Sequence, residues 1–160
     1  KTLKNGMTIL FEKRNLPIVS VAFAVRNGGI NEPESEKGIS HYNKVFNEIT
    51  SGKLDLIVLG VGEDGHVGSL FPNHESVKND SRGFIEVNNA PKTPNERISL
   101  SRKSIEEAET IILLFTTSEK EEAYNKFIDE KLSYIDCPAK IAMESKNVVV
   151  LTFFGDKNAE

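Results

Sequence analysis

The stretch that most constrains the fold of this chain is residues 55–72, which read DLIVLGVGEDGHVGSLFP. Residues 56–59 form a continuous apolar run, which is typical of a strand covered on both faces of a parallel sheet. Four glycines follow at positions 60, 62, 65 and 68, and glycine permits tight turns and close approach of the backbone to a ligand. We therefore predict a buried strand that ends in a ligand-binding loop, since open α/β sheets bind ligands at the carboxyl ends of their strands.

Two polar side chains of this loop, Asp64 and His66, are candidates for catalysis. Histidine titrates near neutral pH and can take a proton from water, so His66 is the candidate general base. Asp64 could orient His66 or hold the backbone in its turn, and a purely structural His66 is the alternative. The backbone N–H groups around Gly60, Gly62 and Gly65 could face an oxygen on which negative charge develops.

The loop resembles that of the 6-phosphogluconolactonases, which are relatives of the glucosamine-6-phosphate deaminases. Both families carry a strand followed by G-x-G-x-D-G-H, matched here by residues 60–66, and the continuation S-L-F-P at 69–72 is the lactonase form. The resemblance spans residues 42–157. It implies a NagB-like, Rossmann-type α/β fold and a hydrolase that opens 6-phosphogluconolactone to 6-phosphogluconate in the pentose phosphate pathway, without a cofactor.

Two basic residues, Lys92 and Arg97, belong to a second segment with this resemblance. Lactonases carry a lysine- and proline-rich stretch that runs into R-[IV]-[ST]-L, and residues 92–100 fit this pattern. The resemblance implies that Lys92 and Arg97 contact the anionic sugar phosphate, and the alternative is two solvated charges on a loop. The N-terminal half of full lactonases has no counterpart in this sequence, so a folded, non-catalytic chimera or engineered protein is the second functional hypothesis.

Residues 1–41 follow a different pattern from the rest of the chain. Alternating apolar residues at 7–11 and 19–25 predict a β-hairpin, and the motifs at 3–6, 25–29 and 38–41 resemble the start of insulinase-like and processing-peptidase-like zinc peptidases. In those enzymes a histidine, here His41, opens the zinc motif H-x-x-E-H, but Lys44 and Val45 replace its glutamate and second histidine. We expect no metal site, and a zinc peptidase fragment is the weakest hypothesis.

The sequence therefore predicts a chimera of two segments in one compact unit. Residues 1–41 form the peptidase-like hairpin and linker, and residues 42–160 form the lactonase-like domain. Within that domain we predict a helix over residues 41–50, a helix capped by Ser104, and a mostly parallel sheet with flanking helices. Residues 56–59 are its central strand, joined by strands near Ile98, Ile111 and Val148.

Composition excludes several classes of partner. The net charge is −4 and no basic run is present, which argues against binding to nucleic acid or to a membrane surface. The single cysteine, Cys137, cannot form an internal disulfide, and together with the absence of a visible signal peptide this indicates a reducing, cytoplasmic setting. A sugar-phosphate lactone is the expected partner, and the sequence does not define an oligomeric state.

Overall fold

The computed structural model describes residues 38–154 of the chain. Helices and strands alternate along these residues, as the sequence predicts for an α/β fold. The helices are α1 (Ile39–Thr50), α2 (Glu75–Lys78), α3 (Arg102–Glu106) and α4 (Glu121–Ile128), with short 3-10 helices at Ser118–Lys120 and Pro138–Glu144. The strands are β1 (Leu56–Gly60), β2 (Phe84–Val87), β3 (Arg97–Leu100), β4 (Thr110–Phe115) and β5 (Asn147–Thr152). The predicted N-terminal hairpin lies outside the described residues.

Three of the described strands form a parallel sheet in the order β1-β4-β5. Leu113 of β4 aligns with Leu59 of β1 on one side and with Val150 of β5 on the other. The predicted parallel sheet with strands near residues 56, 111 and 148 is thus confirmed. The expectation that residues 56–59 are its centre is wrong for the described sheet, because β4 pairs on both sides and β1 pairs on one.

The strand near Ile98 does not join this sheet. It is β3, and it pairs antiparallel with β2, with Glu86 opposite Ile98 and Ile85 opposite Ser99. The prediction of a strand was right and its assignment to the parallel sheet was wrong. The physical reason is the connection: residues 88–96 contain no helix, and a parallel neighbour would need a crossover of a dozen or more residues.

The two faces of the parallel sheet differ in exposure. One face contributes Ile57, Ile111, Leu113 and Phe115 to the buried core. On the opposite face the exposed large apolar side chains are Leu56, Val58, Val149 and Leu151. The sequence prediction that residues 56–59 are covered on both faces is therefore wrong for the described residues, because an apolar run alone does not report whether a second layer is present.

Helix α1 docks onto the β2–β3 hairpin. The Asn43 side chain donates to the Phe84 carbonyl (2.9 Å) and accepts from the Phe84 N–H (2.6 Å), and the Phe46 ring packs edge-on against Phe84. The helix ends at Thr50, followed by Ser51 in the left-handed conformation, which is a common way to close a helix. The predicted helix over 41–50 is confirmed and begins slightly earlier.

The helix expected to be capped by Ser104 begins earlier than predicted. The Ser101 side chain caps α3 by accepting from the Ser104 N–H at 3.2 Å. Ser104 itself is buried and accepts from the Gly83 N–H at 2.7 Å, which ties α3 to the start of β2. A serine three residues before an acidic residue fits a capping box, but Ser101 satisfies the first turn and leaves Ser104 inside the helix.

None of the helices among residues 38–154 combines the length and apolar character needed to cross a lipid bilayer.

Candidate active site

The loop that follows β1 folds back on itself at the carboxyl end of the strand. The Val61 N–H donates to the Leu114 carbonyl (3.1 Å), and Val61 forms an antiparallel bridge with Val67. Within the turn, the Gly62 N–H donates to the His66 carbonyl (2.8 Å) and the Gly65 N–H donates to the Gly62 carbonyl (2.9 Å). These bonds define the backbone of the turn that carries Asp64 and His66.

Asp64 and His66 form the closest ionisable pair in this loop. His66 Nδ1 lies 2.5 Å from Asp64 Oδ1, and the His66 backbone N–H donates to the same oxygen at 3.3 Å. The side chain of His66 is 18% exposed and that of Asp64 is 33% exposed. The two roles considered for Asp64 are therefore both present, since one oxygen orients the ring and also holds the backbone turn.

The carboxyl group of Asp64 is held in its ionised form. Burial raises its pKa, but the hydrogen bonds and charge of His66, with a smaller contribution from the charge of Lys92, lower it by more. The pKa of Asp64 therefore lies below its ordinary value. An ionised carboxylate only accepts hydrogen bonds, so Nδ1 must be the protonated nitrogen. In neutral His66 the Nε2 atom is then the free base.

Gly62 leaves the space that the His66 ring fills. A Cβ atom built at Gly62 would lie 2.0 Å from His66 Nδ1 and 2.8 Å from Asp64 Oδ1, whereas one built at Gly60 meets nothing within 4 Å. Gly65 has a positive φ of 93°, and a Cβ atom there would lie 2.8 Å from Cys137 Sγ. Two of the three predicted glycines therefore have a steric reason to be glycine, and Gly60 has none in the structure.

The structure brings Lys92 to the Asp64–His66 pair from a distant part of the chain. Lys92 Nζ lies 3.7 Å from Asp64 Oδ1, and the Lys92 side chain is 45% exposed. An ammonium group so placed remains open to an incoming anion while its charge favours the ionised form of Asp64. Lys92 thus lies beside the predicted catalytic pair. Its place in a loop does not by itself predict this contact.

Arg97 lies at the start of β3 and faces its own loop. Its Nε donates to the Pro94 carbonyl (2.8 Å), and its Nη2 donates to the carbonyls of Lys92 (2.8 Å) and Thr93 (2.9 Å). The guanidinium carbon also lies 5.3 Å from the centre of the Phe71 ring. The structure therefore places Arg97 close to the site but engages much of its donor capacity inside the protein.

Two depressions on the described surface do not include His66 among their lining residues. One, of about 670 Å³, is lined by residues 74–76, 78–79 and 86–89, and the other, of about 390 Å³, is lined by Glu86, Asn88, Glu96, Arg97 and Ile98. Each is lined by two carboxylates and one cation, which is Lys78 in the first depression and Arg97 in the second. We assign the candidate site to the Asp64–His66 pair because the chemistry of an oriented base outweighs the shape of a shallow surface depression.

Residues 38–154 bring together no group of three histidine, cysteine or carboxylate side chains that could hold a metal ion. His41, the first ligand position of the zinc motif, lies in α1 with Lys44 and Val45 after it.

The family model described as glucosamine-6-phosphate isomerases/6-phosphogluconolactonase matches residues 9–151. The chain belongs to this family. A 6-phosphogluconolactonase from Borreliella burgdorferi is 37% identical to it over 122 residues, which are 76% of this chain and 52% of that relative. The chain spans about half, or less, of the length of the curated relatives it matches.

Solved structures give the same assignment of fold. A monomeric glucosamine-6-phosphate deaminase of the NagB superfamily matches with a TM-score of 0.58 and 25% identity, over 79% of this chain and 54% of that one. A 6-phosphogluconolactonase from Trypanosoma brucei matches with a TM-score of 0.57 and 22% identity, over 69% of this chain and 48% of that one. The predicted NagB-like α/β fold is thus confirmed.

The sequence reasoning missed three residues that support the site of this NagB-family chain. The fully buried Phe71 ring lies 4.7 Å from the His66 ring, and its place directly after the glycine loop was the only local sign of this role. Ser99 accepts from the Ser69 N–H at 3.0 Å. Cys137 packs against Gly65, while the Ala139 N–H donates to the Gly65 carbonyl at 2.9 Å. The Ser69–Ser99 contact and the contacts of Gly65 with residues 137 and 139 join segments far apart in sequence. No local pattern therefore predicts them.

Proposed function

We propose that this chain carries the hydrolytic site of a 6-phosphogluconolactonase and opens 6-phosphogluconolactone to 6-phosphogluconate. The single observation that carries the proposal is the Asp64–His66 pair at 2.5 Å. It leaves Nε2 of a neutral histidine available as a base beside the cationic Lys92. The relatives named as lactonases favour the lactone as substrate, whereas the family description also includes glucosamine-6-phosphate isomerases.

The proposed reaction begins when Nε2 of His66 takes a proton from a water molecule. The water oxygen attacks the lactone carbonyl carbon, and the carbonyl π electrons move to the oxygen to give a tetrahedral oxyanion. Collapse of this intermediate breaks the ring C–O bond. The departing ring oxygen receives the proton from the His66 imidazolium, so the base is regenerated and the product is a hydroxy acid. Asp64 favours the imidazolium form while the proton is held.

Substrate anions are proposed to meet Lys92 first. Its exposed ammonium group is available to the phosphate or to the developing oxyanion, and a charge-assisted hydrogen bond contributes about 1.5–3 kcal/mol. The predicted substrate contacts of Gly60, Gly62 and Gly65 stay part of the proposal, whereas the bonds of Arg97 to its own loop favour a positioning role over the predicted contact. The Gly62 and Gly65 N–H groups already donate within the loop, which favours a role in approach and shape for these two residues.

The proposal is tested by a lactone hydrolysis assay corrected for spontaneous ring opening. We expect hydrolysis above the spontaneous rate, and His66→Ala should lower kcat by about 10² or more, the usual scale for a general base. His41→Gln is the matched control, since this histidine lies on α1, and its activity should equal that of the parent. An active parent whose His66→Ala variant turns over at the same rate would exclude this assignment.

A second candidate function is a folded chimera that keeps the motif without catalysis, naturally recombined or engineered. The observation that favours it is the peptidase-like pattern of residues 1–41. A parent without hydrolysis above the spontaneous rate would favour this candidate. The proposed cytoplasmic setting of either form fits the free, buried Cys137.

A further inference from the structure

We infer that Arg97 is a positioning residue: it fixes the loop that carries Lys92 and the ring that supports His66, and so assembles the two sides of the candidate site. The part of this inference that concerns turnover rests on the proposed function. The part that concerns the loop does not, because the conformation of the loop can be measured without turnover.

The first support is the set of bonds from Arg97 to its own loop. The N–H of Nε and both N–H groups of Nη2 have acceptors, and these are three consecutive carbonyls at Lys92, Thr93 and Pro94. A planar guanidinium can bind several carbonyls at once because its donors have a fixed fork geometry, whereas a lysine ammonium is a compact point charge. The backbone of residues 92–94 therefore curves around the Arg97 side chain.

A second set of hydrogen bonds, between Ala90 and Asn95, closes the same loop. The Ala90 N–H donates to the Asn95 carbonyl at 2.9 Å, and the Asn95 side chain donates back to the Ala90 carbonyl at 3.0 Å. Lys92 lies within the segment that both sets of hydrogen bonds enclose, with its ammonium group 3.7 Å from Asp64 Oδ1. The exposed loop has little apolar burial of its own, since residues 91–96 are all exposed. Hydrogen bonds, together with the fixed φ angles of Pro91 and Pro94, therefore define its shape.

The third support is the contact with Phe71. The Arg97 guanidinium lies over the Phe71 ring at 5.3 Å, and the same ring lies 4.7 Å from the His66 ring. A guanidinium over an aromatic face is an attractive arrangement. Arg97 therefore reaches both members of the site, Lys92 through the loop backbone and His66 through Phe71, and neither route requires contact with substrate.

These contacts distinguish positioning from direct phosphate binding. A phosphate ligand would need the N–H groups that Arg97 gives to carbonyls, and only those of Nη1 remain outside the bonds described above. The exposed Lys92 is the better first contact for an anion. If Arg97 acts by positioning, its loss should affect lactones with and without a phosphate alike, because the geometry of base and ammonium would change for both.

The test uses Arg97→Met and Arg97→Lys with the full chain, and Arg82→Met as a control for loss of a surface arginine paired with Glu107. The first readout is limited trypsin digestion, followed by mass spectrometry at the Lys92–Thr93 bond. We expect both Arg97 variants to be cut there at least several-fold faster than the parent and the control. Because this readout needs no turnover, it decides the loop role even if the chain lacks hydrolytic activity.

The second readout is kcat/KM for 6-phosphogluconolactone and for unphosphorylated gluconolactone. We expect both Arg97 variants to lose about 10- to 100-fold on both substrates, the scale of a misplaced catalytic group. A loss confined to the phosphorylated substrate and largely rescued in Arg97→Lys would overturn the inference in favour of direct phosphate binding. So would unchanged cleavage at Lys92. If Arg97→Met does not fold, as judged by circular dichroism, Arg97→Lys alone is scored on both readouts.

Discussion

A methyl group at position 62 would occupy the space of the His66 ring. The substituted Cβ atom would lie 2.0 Å from Nδ1, so the imidazole must leave its place against Asp64. We expect Gly62→Ala to lower the lactone hydrolysis rate nearly as much as His66→Ala does, with a folded chain by circular dichroism. Steady-state kinetics at saturating substrate provide the measurement.

Gly60→Ala is the matched control for this prediction. Gly60 lies two positions earlier, where β1 ends, and an added Cβ atom there meets nothing within 4 Å. Its activity should stay within about twofold of the parent, because the substitution creates no clash and keeps the backbone N–H that the predicted substrate contact would use. Equal activity in the parent, Gly60→Ala and Gly62→Ala would show that the His66 ring does not need the position it holds in the structure.

The lowered pKa of Asp64 predicts an acid-dependent loss of stability. A carboxyl group with a lower pKa in the folded state stabilises the fold fully above its unfolded pKa, near 4, and loses this contribution as the pH falls through its folded pKa. The free energy of unfolding of the parent should therefore exceed that of Asp64→Asn most clearly at pH 5–7. The difference should shrink below about pH 4.

Urea unfolding of the parent and Asp64→Asn between pH 3 and 7 measures this difference. The comparison with the variant matters because Glu107, Glu122 and Asp136 also have lowered pKa values, and their contributions cancel between the two proteins. A difference that stays constant over the whole range would contradict the assigned coupling between Asp64 and His66.

At the scale of elements, the middle strand of the described parallel sheet contributes fully buried side chains to the core. Leu113 of β4 is fully buried, whereas Leu56 of β1 is 54% exposed. Leu113→Ala should lower the free energy of unfolding by about 2–5 kcal/mol, because it leaves a cavity in a packed core. Leu56→Ala, the same substitution on an exposed face, should cost less than about 1 kcal/mol.

Chemical denaturation of both leucine variants, analysed with a common slope, tests this contrast. It is informative because Leu56 belongs to the apolar face that also exposes Val58, Val149 and Leu151. A large loss for Leu56→Ala would mean that another part of the chain or a partner covers this face in solution. Similar small losses for both variants would contradict the central place of β4.

At the scale of the whole molecule, the two resemblances predict different metal contents. The zinc peptidase motif needs two histidines and a glutamate, and the chain offers His41 followed by Lys44 and Val45. We therefore expect no stoichiometric zinc in purified, tag-free protein, as measured by elemental analysis. His41→Gln should leave the metal content unchanged. One zinc per chain in the parent, lost in this variant, would contradict the prediction.

The sequence by itself determined those features that depend on residues close together in the chain. Asp64 and His66 are two positions apart within a glycine turn, so local backbone geometry is enough to bring their side chains together. The apolar runs near residues 56, 111 and 148 likewise specified strands, because burial of such runs in a sheet needs no knowledge of the partner.

Only the tertiary structure decided which distant groups meet at the site. Lys92 reaches Asp64, Arg97 lies over Phe71, and Cys137 fills the space beside Gly65. The tertiary structure also placed β4 at the centre of the described sheet and paired β3 with β2. These results depend on packing between segments far apart in sequence, where many pairings satisfy the same local pattern and the lowest free energy of the whole fold selects one.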